Sequence, residues 1–375
     1  MSRRTAARPW LAPLVPLYRL GLFAREAALR TGVEPVRRLR WPVVSIGNLS
    51  TGGAGKTPLT IALAQALTRR GLFVDVLSRG YGRKTRAAMR VDPGGTAEAF
   101  GDEPILIARE AGVPVYVAAE RYQAGLMAER ALTLERTTSE QQEVSGHDLS
   151  RAVNVPNLRR ALAPVGEAFG VHLLDDGFQH RQLHRDVNIL LLDGRDWSRE
   201  RLLPAGNLRE PLAAMRRADV LAIPAAEATI LEPSLRSEGQ WQGPVWRLQR
   251  TMDVPPIDGP VIAFCGIARP EQFFEGLRRA GLRLADCVAF PDHHRYTEAD
   301  LDRLRKNARN AGAVSFVTTE KDRVRLGGLA AKLAESCPLQ TARLRIEIDE
   351  QDAAIECAIE WLMGRLSSRL PASHR

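Results

Sequence analysis

Lysine is scarce in this 375-residue chain: Lys56, Lys84, Lys306, Lys321 and Lys332 stand against 48 arginines. A coding bias explains the skew, yet any lysine at a chemically specific position stands out because of it. Aromatic residues are also few, at 6%. The four cysteines (Cys265, Cys287, Cys337, Cys357) are far apart and form no CxxC pair. That argues against a zinc knuckle or a disulfide framework and fits a reducing compartment. Long hydrophobic runs are missing as well. The apolar stretch Pro9–Leu29 is broken by Pro13, Pro16, Arg19 and Arg25, and its longest uncharged run, Pro9–Tyr18, has ten residues. A spanning helix needs ~20, so none is expected, and without an A-x-A site the stretch is a poor signal peptide. There is no internal repeat. With 45% hydrophobic and 26% charged residues, the composition excludes global disorder, collagen and a disulfide mini-protein. The length suggests two domains, or one with a large elaboration.

Positive charge is present but localised. The chain carries +9, and residues 1–41 hold nine arginines against Glu26 and Glu34, a net of +7. The body is therefore near neutral, which argues against a nucleic-acid binder needing a basic docking tract. After Pro16 a helix is expected, with Arg19, Glu26 and Arg30 on one side and Leu17, Leu20, Ala24, Ala27 and Ala28 on the other. Two readings stand: the apolar side packs on the protein body, or it lies in a membrane interface with its arginines on anionic headgroups.

Pro42–Gly47 reads as a buried strand running into Asn48-Leu-Ser-Thr-Gly-Gly-Ala-Gly-Lys-Thr-Pro58, with a helix expected over Leu59–Arg70. Strand, Gly-rich turn, Lys-Thr and helix together form the P-loop arrangement. Its amides, from Ser50, Thr51, Gly52, Gly53, Ala54, Gly55, Lys56 and Thr57, would curl around the phosphates of a nucleotide. Lys56 would reach the β- and γ-phosphates and Thr57 would ligate Mg²⁺. The first motif position is Ser50 instead of glycine. A P-loop enzyme also needs an acidic strand end near the metal, and Asp175-Asp176-Gly177 after Val171–Leu174 supplies one. One aspartate would hold Mg²⁺ and the other a hydroxyl or second metal; a solvated turn is the plainer alternative.

At these motifs the chain resembles the tetraacyldisaccharide 4'-kinase (lipid A 4'-kinase) family of Gram-negative bacteria. The resemblance rests on Gly47–Pro58, Ser78-Arg-Gly-Tyr-Gly-Arg83, Gly101-Asp-Glu-Pro104, Asp175-Asp-Gly-Phe-Gln-His180, Leu203–Pro211, Asp292-His-His294 and Thr319-Glu-Lys-Asp322, in order over roughly 10–326. It implies transfer of the γ-phosphate of ATP to the 4'-hydroxyl of a tetraacylated glucosamine disaccharide, at the cytoplasmic face of the inner membrane. It also implies a P-loop NTPase-like parallel-sheet α/β domain, a second, smaller α/β domain and a site between them. Asp102 and His293 would form a catalytic dyad beside Lys56 and Asp176, the carboxylate fixing the tautomer of an imidazole that accepts the hydroxyl proton. The simpler readings are a helix N-cap for Asp102 and an ordinary loop histidine for His293, and the sequence does not separate His293 from His294. Tyr81, Arg83, Gln179, Asn207, Arg209 and Glu210 are the implied acceptor and phosphate contacts. A surface role for Arg209 and turn packing for Tyr81 and Arg83 stand beside that reading, as does a Lys321–Asp322 salt bridge.

The remainder alternates βα, with strands expected at Phe73–Leu77, Val113–Val117, Val187–Leu192 and Val220–Ile223. Residues 136–157, polar and without apolar period, read as an exposed insertion. The expected division is a basic amphipathic segment at 1–41, the P-loop domain at 42–243, a linker at 244–259 around Pro255-Pro256, and an α/β domain at 260–370. A regulatory or metallochaperone-type P-loop NTPase is the competing function, though no Asn-Lys-x-Asp guanine-reading motif is present. No obligate protein partner is evident, and the acylated acceptor favours membrane docking for 1–41.

Overall fold

The computed structural model describes residues 8–53, 55–143, 170–198 and 201–367. Among them one twelve-stranded sheet runs through the molecule. In chain order its strands are β1 (Val43–Asn48), β2 (Phe73–Ser78), β3 (Met89–Arg90), β4 (Val115–Val117), β5 (Gly170–Asp175), β6 (Val187–Leu191), β7 (Val220–Pro224), β8 (Val245–Asp253), β9 (Pro260–Cys265), β10 (Arg283–Ala289), β11 (Ser315–Thr319) and β12 (Leu339–Ile348). Across the sheet they stand in the order β10-β9-β11-β12-β8-β7-β6-β1-β5-β2-β4-β3. Only the β3–β4 and β8–β12 pairs are antiparallel; the other neighbours run parallel.

A parallel sheet needs helices on both faces, so its strands are apolar on both sides. β1 and β5 are buried at every position. Val44 and Ile46 enter a core shared with Leu59, Leu63 and Leu67 of α2 and Ile105 and Ile107 of α4. Val43 enters a second core with Leu77, Leu174 and Ala124 and Ala128 of α5. The early helices are α1 (Val15–Arg30), α2 (Lys56–Arg69), α3 (Ala97–Phe100), α4 (Asp102–Ala111) and α5 (Arg121–Glu143). The smaller C-terminal unit packs β9 and β11 against the helices Glu298–Ala311 and Leu329–Ala334 around Phe264 and Phe316.

The expected strands and helices appear within a few residues of their predicted places. Three expectations need revision. Most of the 244–259 stretch is strand β8, paired with both β7 and β12; its alternating burial marks a strand with one solvated face. Residues 136–143 of the expected insertion continue helix α5, and 144–157 lie outside the described residues. On α1 the apolar residues divide: Val15 packs against the core and Ala27 and Ala28 are half-buried, whereas Leu17, Leu20 and Phe23 are exposed, as are Trp10 and Leu14. Glu26, expected beside Arg19, turns inward to pair with Arg181. No helix among the described residues is long and apolar enough to cross a membrane.

One polar group is sunk in the second core. His172 of β5 is fully buried, with Nδ1 2.8 Å from Asp75 Oδ1 and Nε2 3.4 Å from Glu129 Oε1. Its ring stacks on Trp41 at 5.2 Å. Burial alone would lower its pKa; the Asp75 and Glu129 carboxylates outweigh burial and push it up to about 9 from 6.5. A raised folded-state pKa gives stability that is complete below the unfolded value and is lost as pH climbs through the folded one. The melting temperature should therefore fall between pH 6.5 and about 9, and His172→Phe should flatten that part of the profile. Parallel profiles for parent and variant across this window would contradict a charged His172.

Candidate active site

The site begins where β1 ends. After Asn48 the chain turns through the glycine-rich loop, and α2 starts at Lys56, three residues before its predicted start. Gly55 caps the helix at φ +96°, and Gly52 sits at φ +109°. Both are left-handed conformations that glycine adopts freely. Ser50 is buried, donating to Asp196 Oδ2 at 3.1 Å and accepting from Asn48 Nδ2 at 3.1 Å. Its hydroxyl thus serves the base of the loop. Thr51 and Gly53 are exposed at the tip, Thr57 is buried behind it, and Ala54 lies outside the described residues. Lys56 Nζ donates to Asn48 Oδ1 at 2.9 Å and stands 3.4 Å from Asp176 Oδ1.

The Asp-Asp pair arrives on the neighbouring strand. Asp175 closes β5, and Asp176 follows at φ +50°. Arg209 Nη1 donates to both Asp176 oxygens at 3.1 Å and to Gln179 Oε1 at 3.2 Å, while Gln179 Nε2 donates to the Asn48 carbonyl at 2.9 Å. The two aspartates differ in charge state. Burial, then Glu103 and Asp176, push Asp175 up to about 7. Burial opposes ionisation of Asp176 too, but Lys56 and Arg209 outweigh it and hold its pKa below normal. The crowded carboxylates, with the Thr60 hydroxyl 3.4 Å from Asp175 Oδ1, are oxygen donors of the kind a hard divalent cation takes, although no group of three His, Cys, Asp or Glu among the described residues has the geometry of a metal cage.

The second half of the site joins α4 to residues from the other end of the sequence. Helix α4 starts at Asp102, and its N-cap is Gly101 at φ +92°. Asp102 is therefore not the cap: its Oδ2 accepts from Arg325 Nε at 2.7 Å and lies 3.6 Å from His293 Nδ1. His293 is itself left-handed, at φ +58°. Its interaction with Asp102 raises its pKa against burial and against Arg325. His294 faces elsewhere, with Nε2 3.0 Å from Asp300 and its ring stacked on Phe290. Lys321 pairs with Glu103, not with Asp322; Asp322 is buried and accepts from Gly266 N at 3.0 Å and Arg325 Nη1 at 3.2 Å. Burial would lower the pKa of Lys321, but Glu103, Asp102 and Asp175 raise it. One field thus spans both halves.

The implied acceptor residues divide. Tyr81 is 65% exposed with its ring 5.2 Å from that of His293, so it borders the dyad. Arg209 and Gln179 border Asp176. Arg83 donates to the carbonyls of Ala87 and Arg86 at 2.8 and 3.0 Å, and Glu210 pairs with Arg217 at 2.5 Å; both are engaged locally. Asn207 meets the loop through its carbonyl, which accepts from Thr51 N at 2.8 Å.

Several residues here carried no sequence signal. Arg325 is one. Arg25, Arg79, Arg121 and Arg185 are others: burial and these four cations push His180 down to about 3. Arg121 is buried, and its Nε has no hydrogen-bond partner among the described residues. From α1, Tyr18 donates to the Arg209 carbonyl and Arg25 to the Gln179 carbonyl, each at 2.8 Å.

Comparison with known proteins bears on this geometry. The family model for tetraacyldisaccharide-1-P 4'-kinase matches residues 7–360. A tetraacyldisaccharide 4'-kinase of Koribacter versatilis is 37% identical over 368 residues, covering 94% of this chain and 99% of that relative. One from Gluconacetobacter diazotrophicus is 38% identical, covering 81% and 84%. Among solved structures, LpxK from Aquifex aeolicus, crystallised in complex with ATP, superposes with a TM-score of 0.66 at 28% identity, over 95% of this chain and all of that one.

A Cβ on Gly55 would lie 3.1 Å from Ile346 Cδ1, in a conformation side chains disfavour. Left-handed backbone costs about 1–2 kcal/mol outside glycine. Gly55→Ala should therefore keep the fold and weaken nucleoside triphosphate binding about tenfold, as read by titration calorimetry. Unchanged affinity would mean that Gly55 does not shape the phosphate loop.

Proposed function

The chain belongs to the tetraacyldisaccharide-1-P 4'-kinase family, and from that premise we propose how its site works. It is an ATP-dependent kinase that phosphorylates the 4'-hydroxyl of a tetraacylated glucosamine disaccharide. The carrying observation is that a phosphate loop with Lys56 shares one charged region with Asp102, which His293 meets from the opposite half of the chain.

In this reading the loop amides and Lys56 hold the β- and γ-phosphates. Thr57, Asp175 and Asp176 are the residues that would hold Mg²⁺, which when bound would neutralise developing phosphate charge. Asp176, kept ionised by Lys56 and Arg209, fixes those two cations at the γ-phosphate. His293 takes the proton of the acceptor hydroxyl at Nε2 while Asp102 binds Nδ1–H. The 4'-oxygen forms its bond to the γ-phosphorus as the bond to the bridging oxygen breaks. Tyr81 beside His293 and Gln179 with Arg209 beside Asp176 are the acceptor and phosphate contacts in this reading; Arg83, Asn207 and Glu210, engaged locally, act on that side indirectly. The arginines around His180 suit the phosphate that the acceptor already carries, because guanidinium forks match phosphate oxygens. Residues 42–243 and 260–370 act as the two working units, with β8 between them.

Location follows from the same reading. The inner side of α1 is tied down by Tyr18, Arg25 and Glu26, and its outer side presents Leu17, Leu20 and Phe23. Such a helix, with arginines beside it, suits the interface of an anionic bilayer. The enzyme is then peripheral, at the cytoplasmic face of the inner membrane, where ATP and the acylated acceptor meet.

Two experiments test these assignments. With ATP and the acylated disaccharide 1-phosphate in mixed micelles, Asp102→Ala and His293→Ala should each lower kcat by about 10²–10⁴ and leave nucleotide affinity largely intact. Lys56→Ala should damage both. Nucleotide hydrolysis indifferent to lipid and to His293 would favour the regulatory NTPase instead. For docking, Leu17→Glu with Phe23→Glu should abolish co-sedimentation with anionic vesicles and preserve ATP binding. This pair is cleaner than deleting α1, which also removes the bonds to Arg209 and Gln179. Undiminished co-sedimentation would end the docking reading.

A further inference from the structure

Arg325 occupies the place where the dyad's hydrogen bond should form. It lies on the helix Glu320–Leu326, with its side chain 7% exposed. Its Nε and Nη2 both bond the same oxygen of Asp102, Oδ2, with Nε at 2.7 Å. His293 Nδ1 approaches that same oxygen at 3.6 Å. Arg325 Nη2 is closer to Nδ1 than the carboxylate is, at 3.3 Å. Its Nη1 is anchored behind, donating to the Gly266 carbonyl at 2.5 Å and to Asp322 Oδ1 at 3.2 Å.

The donor and acceptor inventory decides what this means. A carboxylate oxygen offers about two lone pairs, and a guanidinium has donors only. Arg325 crowds Oδ2 with Nε and Nη2, and Nδ1 of His293 is held off at 3.6 Å, beyond an ordinary hydrogen bond. Nδ1 then faces a donor, and a neutral imidazole facing a donor presents its lone pair there and carries its proton on Nε2. A histidine in that tautomer cannot accept a proton at Nε2. Once one Arg325 donor leaves Oδ2, the tautomer reverses: Nδ1–H bonds to Asp102, and Nε2 becomes the base.

We propose that Arg325 is a positioning residue that sets which nitrogen of His293 holds the proton, keeping the dyad idle until Asp102 is shared. The inference rests on the kinase reading for its consequence in turnover, but its structural content stands on the Asp102–Arg325–His293 contacts alone. The other charged groups around His293 are Asp292 on its own loop and, behind Arg325, Asp322; Lys321 acts on Asp102 from the same helix. The Tyr81 ring covers another side. Among these, Arg325 is the cation that both touches Nδ1 and withholds Asp102 from it.

The test is ¹⁵N spectroscopy of the histidines in the full-length enzyme and in Arg325→Gln, with His293 assigned by its loss in His293→Gln. The parent should show neutral His293 protonated on Nε2, and the variant should show it protonated on Nδ1. Titration of the same signal should move upward by about one pH unit in the variant, since a cation has left and a carboxylate has been freed. The acid limb of kcat should move with it, a shift that simple loosening of the fold would not produce. Arg325→Lys, which keeps the charge but cannot bridge both partners, should move the signal the same way by less, and it serves if the glutamine variant fails to fold. An unchanged tautomer and titration in the folded variant would overturn the proposal. A moved titration with an unmoved kcat profile would instead remove His293 as the base and leave the positioning role standing.

Discussion

The two halves of the site are held together by the antiparallel pairing of β8 with β12. Six register pairs, from Arg343 with Asp253 to Ile348 with Leu248, join two parallel blocks that otherwise share no neighbouring strands. The joint fixes how the helix Glu320–Leu326 meets α4, and so how Lys321 and Arg325 meet Glu103 and Asp102. It also brings Ile346 and Arg250 against Gly55 at the start of α2. The meeting of Asp102 with His293 thus depends on this strand pair, while the phosphate loop itself is set by β1 and α2.

The chemistry of the cleft is charge held out of water in alternation. Lys56 and Arg209 flank Asp176, Lys321 meets Glu103, and Arg325 lies between Asp102 and Asp322. Removing one partner of the buried Arg325–Asp102–Asp322 set leaves an uncompensated buried charge, typically at a cost of about 3–5 kcal/mol. The pairs therefore hold geometry more than they add stability, because apolar replacements of similar shape would often cost nothing. Asp175 is the exception. It has like charges nearby and a pKa near 7, which marks the place where an added cation would gain most.

What could be read from the sequence follows from the kind of signal each feature leaves. The phosphate loop, the Asp-Asp turn and the buried strands are local patterns, and they appear within a few residues of their expected places. β8 was hidden because Val245–Asp253 mixes charged and apolar residues between Pro244 and the Pro255-Pro256 pair, as a strand with one wet face does. The helical run to Glu143 was hidden because it has no apolar stripe past Leu134. Arg325 and Arg121 were illegible for another reason: among 48 arginines no single one is conspicuous. Their roles come from burial and partners, which depend on segments 223 residues apart in the case of Arg325 and Asp102. Lys321 was conspicuous as a rare lysine, yet its partner proved to be Glu103 across the cleft, since its sequence neighbour Asp322 is taken up by the Gly266 amide and Arg325.

The N-terminal helix carries the last step. An amphipathic helix on a globular protein ordinarily turns its apolar stripe inward. Here the inward side carries Tyr18, Arg25 and Glu26, and the large apolar residues Leu17, Leu20 and Phe23 point away. The inward bonds end on the carbonyls of Arg209 and Gln179, whose side chains surround Asp176. A contact on the outer face of α1 therefore reaches the backbone of Arg209 and Gln179 through two hydrogen bonds. An enzyme acting on a substrate held in a bilayer must set the height of its reacting groups above that surface. In the proposed docking reading, a helix bonded to the backbone beside those groups sets that height with little slack, which an apolar helix on a separate part of the body would not do.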